Sequence, residues 1–286
     1  MADDDEDLWP PFYLSGRDQR IQDRMQGLRD RGRTPPGRVR SLSRDEIVRT
    51  AVAVADAEGP HSISMRRIAR ELGAGTMSLY WYVSSKEELL DLMLDAVQGE
   101  MTAAEATGDV RADLRRMALN QRATLYRHRW VMAFIGGRPP MGPRALRNVE
   151  RALSIFAGRN VAGATAMNML MSVVTYVMGA VLREQQEERS QHDQERVQER
   201  LGLSEEEVHE VFGEFMDRVV QSGRYPNLTD MIKDGVDPDA LDTQDERFEF
   251  GLDCLLDGIM ARMPVLAPVL APGAQPPRPP TRAPPA

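Results

Sequence analysis

The chain has 286 residues, a formal net charge of −8 and one cysteine, Cys254. With 42% hydrophobic and 28% charged residues it has the balance of a globular chain of one large or two ordinary domains. A single cysteine excludes an intramolecular disulfide framework and a cysteine-cluster zinc site, and the acidic total argues against nucleic acid unless the charge is unevenly spread.

The charge is unevenly spread. Asp3, Asp4, Asp5, Glu6 and Asp7 make an acidic tip with no apolar core, which does not read as a secretory signal and predicts a cytoplasmic protein. Arg17, Arg20, Arg24, Arg29, Arg31, Arg33, Arg38 and Arg40 follow among glycines and prolines. Residues 1–42 therefore predict a disordered acidic, then arginine-rich arm. Its composition suits either DNA phosphates or plain solvation. At the other end, nine of the 23 residues in 264–286 are proline, which predicts a disordered polyproline-like tail.

Between these ends the pattern is helical, with no strand of useful length. Ser43-x-x-Glu46 opens a helix to about Glu58 with Ile47, Ala51, Val54 and Ala55 on one face. Gly59-Pro60 ends it. Short helices follow over 64–72 and 76–83, joined by Gly73-Ala74-Gly75, and Ser85-x-x-Glu88 opens a longer one. Further helices are predicted over 110–127, 143–157, 162–188, 204–221 and 243–263, with one or two turns at 227–234. Ser204-x-x-Glu207 and Thr243-x-x-Glu246 repeat the capping box. Residues 160–182 carry no charge. They are long enough to span a bilayer, but Thr165, Asn168, Ser172 and Thr175 interrupt them, which predicts a buried interface helix and no membrane partner.

A stabilising helix followed by two short helices and a glycine turn is a helix-turn-helix pattern. In the second short helix, Leu79 and Val83 fall on one side and can lock it down. Thr76, Ser78, Tyr80 and Trp81 then project elsewhere, where hydroxyls reach base edges or phosphates and aromatics meet thymine methyls. Arg66, Arg67 and Lys86 flank this helix and suit phosphates. The prediction is an all-α fold. A three-helix helix-turn-helix DNA-binding domain occupies 43–90, and a helical ligand-binding and dimerisation domain occupies 91–263.

The run from Ile63 to Leu90, with Leu79-Tyr80-Trp81-Tyr82-Val83 and Ser85-Lys86-Glu87-Glu88-Leu89-Leu90, resembles the DNA-binding domain of the TetR family. The resemblance implies a ligand-responsive repressor that binds a palindromic double-stranded operator as a homodimer. It implies DNA contacts from Arg66, Thr76, Met77, Ser78, Tyr80, Trp81, Tyr82 and Lys86. Residues 134–139 and 176–186 resemble segments of the tetracycline-repressor type of C-terminal domain, the second belonging to a dimerisation helix. There Phe134 stands where that type carries a metal-binding histidine. A phenyl ring cannot ligate magnesium, so metal-chelated tetracycline is not the expected effector, and no metal or cofactor is expected.

Methionines and aromatics in the second domain predict an adaptable apolar pocket from Tyr126, Trp130, Phe134, Met167 and Met171 for an apolar or aromatic effector. Arg122, Arg127 or Asn168 would orient a polar group. Tyr176, Val177, Leu182, Leu252, Leu256 and Ile259 are the expected dimer interface. Cys254, among leucines, is expected to be buried and inert. The four histidines lack metal-ligand spacing and no nucleophile–base pair stands out, so an enzyme is not expected. A helical adaptor or ligand-binding protein with a vestigial DNA head, or less favourably a helical enzyme, is the rival reading.

Overall fold

The computed structural model describes residues 42–101, 105–134, 141–202, 204–235 and 243–263. Apart from Leu42, the arm over 1–42 and the tail over 264–286 lie outside the described residues. Among the described residues ten α-helices follow in chain order: α1 Arg44–Glu58, α2 Met65–Glu71, α3 Thr76–Leu79, α4 Lys86–Glu100 and α5 Val110–Arg127; then α6 Pro143–Ser154, α7 Gly163–Leu201, α8 Glu205–Gln221, α9 Pro226–Lys233 and α10 Gln244–Arg262. Short 3-10 turns cover Pro60–Ser62 and Arg129–Ala133. All regular structure among the described residues is helical.

Local chemistry sets most helix starts. Ser43, Ser64 and Ser85 are extended residues whose hydroxyls accept from the backbone N–H three positions on, at 3.1, 3.2 and 3.0 Å. Of the four expected capping boxes, Ser204 and Glu207 form the complete reciprocal pair. Glu88 instead accepts from the Ser84 N–H at 2.7 Å, from the Ser84 hydroxyl and from Arg44, so a nearly buried carboxylate latches the start of α4 to α1. Thr243 does not cap α10 through its side chain; its backbone is not extended, and the hydroxyl is not aimed at the third amide.

The helix α6 has no side-chain cap of its own. Its free N–H groups at Arg144 and Ala145 are taken by Asp95 of α4, at 3.1 and 3.0 Å. Burial pushes the Asp95 carboxyl above its ordinary range, against the pull of those N–H groups and of Arg144 and Arg147. The folded chain therefore keeps this proton to higher pH than the unfolded chain. Stability from this group is present below the unfolded value and is lost as pH rises through the folded one. Asp95→Asn keeps an acceptor and removes that dependence, while Asp95→Ala costs about 1–2 kcal/mol. Urea denaturation at pH 4 and pH 7 checks both: relative to the parent, the Asn variant should be more favourable at pH 7 than at pH 4, and the Ala variant should have the lower stability.

One contiguous buried cluster joins the first helices to the body. In the first three helices it holds Ile47, Ala51, Val54, Ile68 and Leu79, and α4 carries it onward through Leu89, Met93 and Val97. The body closes round α7, which packs on α5, α6 and α10. The inner face of α7, Leu170, Val173, Val177 and Val181, is fully or almost fully buried. By length and composition α7 passes as a membrane span. Its packing against three neighbours and an outer face carrying Asn168, Ser172 and Thr175 are those of a body helix.

The helix α7 runs past the predicted end at Glu188 to Leu201, roughly 58 Å in all. Its last turns have little apolar periodicity but consist of good helix formers without proline or glycine. Gly202, at φ +67°, stops it. Conversely, α6 ends at Ser154 rather than 157, because Ile155 and Phe156 turn into the core. The close crossing of α7 and α10 depends on Gly251, where a Cβ would sit 2.4 Å from the Tyr176 hydroxyl.

Candidate DNA interface and ligand cleft

The helix-turn-helix is built from a turn that needs one glycine. Gly73 has φ +64°, and the Ala74 N–H reaches back to the Ala69 carbonyl at 2.9 Å, closing α2. Gly75, with φ −71°, has no such requirement. The α3 helix is shorter than predicted, ending at Leu79 rather than Val83, with Tyr80 to Tyr82 in a tight turn. Leu79 and Val83 are fully buried, as the spacing predicts, and anchor this segment. Met77 is 61% exposed and Tyr82 41%, and Arg66 and Lys86 are exposed beside them. Thr76, Ser78 and Trp81 are half-buried. Tyr80 is also half-buried and packs on the core.

Arg67 is a different case from its neighbour. Its guanidinium holds Glu58 through Nε and Nη2 and Glu71 through Nη1 at 2.7 Å, and both carboxylates raise its pKa further. The Arg67 hydrogen bond holds Glu58 below the ordinary carboxylate range. The phosphate role expected for Arg67 is thus replaced by an internal one, tying α2 to the end of α1.

A second constellation joins this head to the body. His128 is nearly buried, with Nδ1 2.8 Å from Asp56 Oδ1 and Nε2 3.1 Å from Glu100 Oε2. The buried Trp130 donates its indole N–H to the same Asp56 oxygen at 2.7 Å. Arg127 donates to Glu100 at 2.6 Å. Burial works to raise the Glu100 carboxyl, but the His128 and Arg127 bonds outweigh it and hold it low. Asp56 of α1, Glu100 at the end of α4 and the turn after α5 are thereby one network. Sequence reading missed Asp56; its one signal was a carboxylate flanking the apolar stripe of α1.

A cleft of about 510 Å³ opens beside this network. One wall is the end of α1 and the turn after it, with Ala55, Asp56, Gly59 and Pro60. The other is the body, with Tyr126, Trp130, Met132, Leu182 and Gln185. The Tyr126 hydroxyl donates to Glu184 at 2.7 Å, and burial with that carboxylate pushes its pKa up, so it remains a donor. Arg122 is held by Glu184 and Asp245 at 2.9 and 2.7 Å and lies over the Phe248 ring.

The structure thus brings Tyr126 and Trp130 of the expected pocket to one cleft. Phe134 meets Trp130 edge-on at 6.2 Å but does not line it. Met167 and Met171 sit near the start of α7, Met171 facing outward, and also do not line it. The reason is helical rise: Gln185 lies 14 residues beyond Met171, or roughly 21 Å along the axis. Arg127 lines the cleft, whereas Arg122 is engaged elsewhere and Asn168 is exposed on α7.

Residues 47–93 match the family of bacterial regulatory proteins of the tetR type, and residues 102–263 match the tetracyclin repressor-like C-terminal domain. The chain belongs to the TetR family. It is a DNA-binding transcriptional regulator with an N-terminal helix-turn-helix. It is 38% identical over 235 residues to the HTH-type transcriptional repressor DrrR1 of Streptomyces coeruleorubidus, covering 81% of this chain and 83% of that protein. Apo ActR from Streptomyces coelicolor is similar in structure with TM-score 0.59 at 27% identity, over 78% of this chain and 97% of that one. ActR in complex with actinorhodin gives TM-score 0.60 at 28% identity, with the same coverage.

In this TetR-family chain the expected dimer surface needs correction. Val177, Leu252 and Leu256 are fully buried within the protomer and Ile259 nearly so, because they pack α7 against α10. Tyr176 is half-buried, its hydroxyl donating to the Phe248 carbonyl at 2.7 Å. Of the six residues, Leu182 alone is exposed. The outward faces of the same two helices carry Met171, Thr175, Gly179 and Leu182 on α7, and Phe250, Cys254 and Met260 on α10. Cys254 is exposed, not buried, because its position falls between the inward leucines.

Proposed function

We propose that this TetR-family regulator is a repressor that binds a palindromic operator as a homodimer and releases it when a small apolar or aromatic molecule binds the body. The observation that carries the DNA reading is the pairing of an anchored side with an open one. Leu79 and Val83 are fully buried while Met77 and Tyr82 stand exposed on the same short segment, and Arg66 of α2 and Lys86 of α4 are exposed on either side of it in the chain. Thr76, Ser78, Tyr80 and Trp81 complete the surface offered to the major groove. Residues 43–90 are the reading head and 91–263 the ligand-binding and dimerisation body, with α4 joining them. The outward faces of α7 and α10 pair across a two-fold axis. That pairing gives head spacing that a ligand can shift only through different affinities for the two arrangements. That DrrR1 is a transcriptional repressor and that ActR binds actinorhodin support this reading.

The test begins with recovery of an operator from a pool of random duplexes. Lys86→Ala should weaken binding to it about 5- to 30-fold and lower the salt slope by roughly 2 per dimer, one phosphate for each head. Thermal stability should not move, since Lys86 is exposed. Failure to enrich any sequence at low salt would instead favour a helical adaptor with a vestigial head.

A further inference from the structure

His128 is 3% exposed and has a carboxylate at each ring nitrogen. Asp56 Oδ1 of α1 lies 2.8 Å from Nδ1, and Glu100 Oε2 at the end of α4 lies 3.1 Å from Nε2. Each of these oxygens also accepts from a group that can only donate. The Trp130 indole N–H reaches Asp56 Oδ1 at 2.7 Å, and the Arg127 guanidinium reaches Glu100 Oε2 at 2.6 Å. Both oxygens are therefore acceptors, so both ring nitrogens must donate. A neutral imidazole has one donor; only the charged ring has two. Without its second proton the nearly buried ring would turn a lone pair toward a carboxylate oxygen. Each carboxylate would keep another donor, Trp130 for Asp56 and Arg127 for Glu100, so the ring is the part that lets go.

The charged groups round the ring come from every element that meets it. Asp56 faces it from α1, Glu100 from α4 and Arg127 from α5. The following turn, Arg129–Ala133, packs on α1 and on Pro60–Ser62, which carries the exposed His61. Arg129 is held by Glu188 of α7, and Arg189 of α7 lines the neighbouring cleft. We propose that His128 is a proton-dependent catch between head and body. Charged, it locks the end of α1 to the end of α4 and to the turn after α5. Neutral, it releases one of the two helices, the head moves more freely, and operator binding weakens because the head must first be ordered. The closed catch holds a proton that the open one does not need, so rising pH favours the open form. The inference rests on the regulator reading above and adds the proton as a second input to it.

Three forms of the full chain test this: the parent, His128→Asn and Glu100→Gln. His128→Asn keeps a neutral donor near Asp56 and removes the titrating ring. Glu100→Gln keeps the size of a side chain that is 41% exposed. Its amide can accept from a protonated Nε2 or donate to a bare one, so the catch should hold with or without the proton. In the parent at pH 6, ring ¹⁵N spectra should show both nitrogens of His128 protonated, the signal being assigned by its loss in His128→Asn. From pH 6 to pH 9, amide protection corrected for the chemical exchange rate should fall about five- to tenfold in the parent, at the end of α1 and in Arg129–Ala133. It should stay level in both variants. Operator affinity of the parent should fall about two- to fivefold more over this range than that of either variant.

A His128 ring with one bare nitrogen at pH 6, level protection in the parent, or a fall that persists in both variants would each overturn the catch. The ring spectrum and the protection of the parent decide the matter even if a variant folds poorly. Both are read without DNA, which separates the two readings. A catch that opens with pH while operator affinity stays level overturns its regulatory role and leaves the DNA reading standing. A catch that opens in a protein that enriches no operator at either pH supports the catch and overturns the regulator reading.

Discussion

Phe250→Glu should leave a folded monomer that no longer holds operator DNA. Phe250 is 75% exposed on α10, one turn before Cys254 and on the side away from the buried Leu252, Leu256 and Ile259. An aromatic side chain this open contributes little to the protomer, so its replacement should not lower the melting temperature of the single chain. In a two-fold interface each substitution acts twice, placing two like charges in or beside an apolar contact with Met171, Leu182 and Met260. Removing a carboxylate from water without a partner costs several kcal/mol, enough to dissociate a micromolar dimer. Operator affinity should fall far more than from any single head contact. Two linked heads gain about 10²- to 10⁴-fold over one, and the monomer loses that gain entirely. Light scattering and a gel shift on the same sample check this. A variant that stays dimeric with full DNA affinity would place the interface on another face, of which the exposed Val211, Phe212 and Phe215 of α8 are the foremost alternative.

Asp56→Ala should be the more destabilising of the two. One carboxylate oxygen serves both the His128 ring and the Trp130 N–H, and both partners are nearly buried. Removing it leaves two buried polar groups without their acceptor, at about 1–3 kcal/mol each. For a chain of this size a loss of roughly 3 kcal/mol lowers the melting temperature by about 6–12 °C. The loss should also be directional. Asp56 ties α1 to the body, whereas Glu88 and Arg44 tie α1 to α4 within the head. Amide exchange should therefore quicken at the end of α1 and in the turn Arg129–Ala133 before it quickens in α4. Unchanged protection at the end of α1 would show that the apolar contacts alone hold head to body.

The two variants separate features that were legible in the chain from features that were not. Ser43, Ser85 and Ser204 each cap the helix that the Ser-x-x-Glu spacing announces, because a cap involves residues three apart and little else. The glycine turn and the inward Leu79 and Val83 were legible for the same reason. The run Leu252, Leu256 and Ile259 was visible too, but a stripe states that one face is buried and not by which neighbour. It is buried by α7 of the same protomer, which leaves Phe250, Cys254 and Met260 on the outward side for the proposed dimer contact. Glu88 met the spacing of a capping box, yet Arg44, 44 residues away, and Ser84 drew it elsewhere.

The cleft was the least legible. Tyr126 and Trp130 drew attention as aromatics, but Met167 and Met171 were grouped with them by composition, and helical rise separates them. Gln185, in a charged stretch of helix, carried no signal in the chain, yet it is 3% exposed and lines the cleft together with the end of α1. The serine caps, the glycine turn and the order of short helices in the helix-turn-helix head are set by residues within one or two turns of each other, and the amino-acid sequence by itself determines them. Asp56 with His128, 72 residues apart, Arg122 with Glu184, 62 apart, and the unpartnered amide of Gln185 are decided by which helices meet, and only the tertiary structure brings those groups within reach.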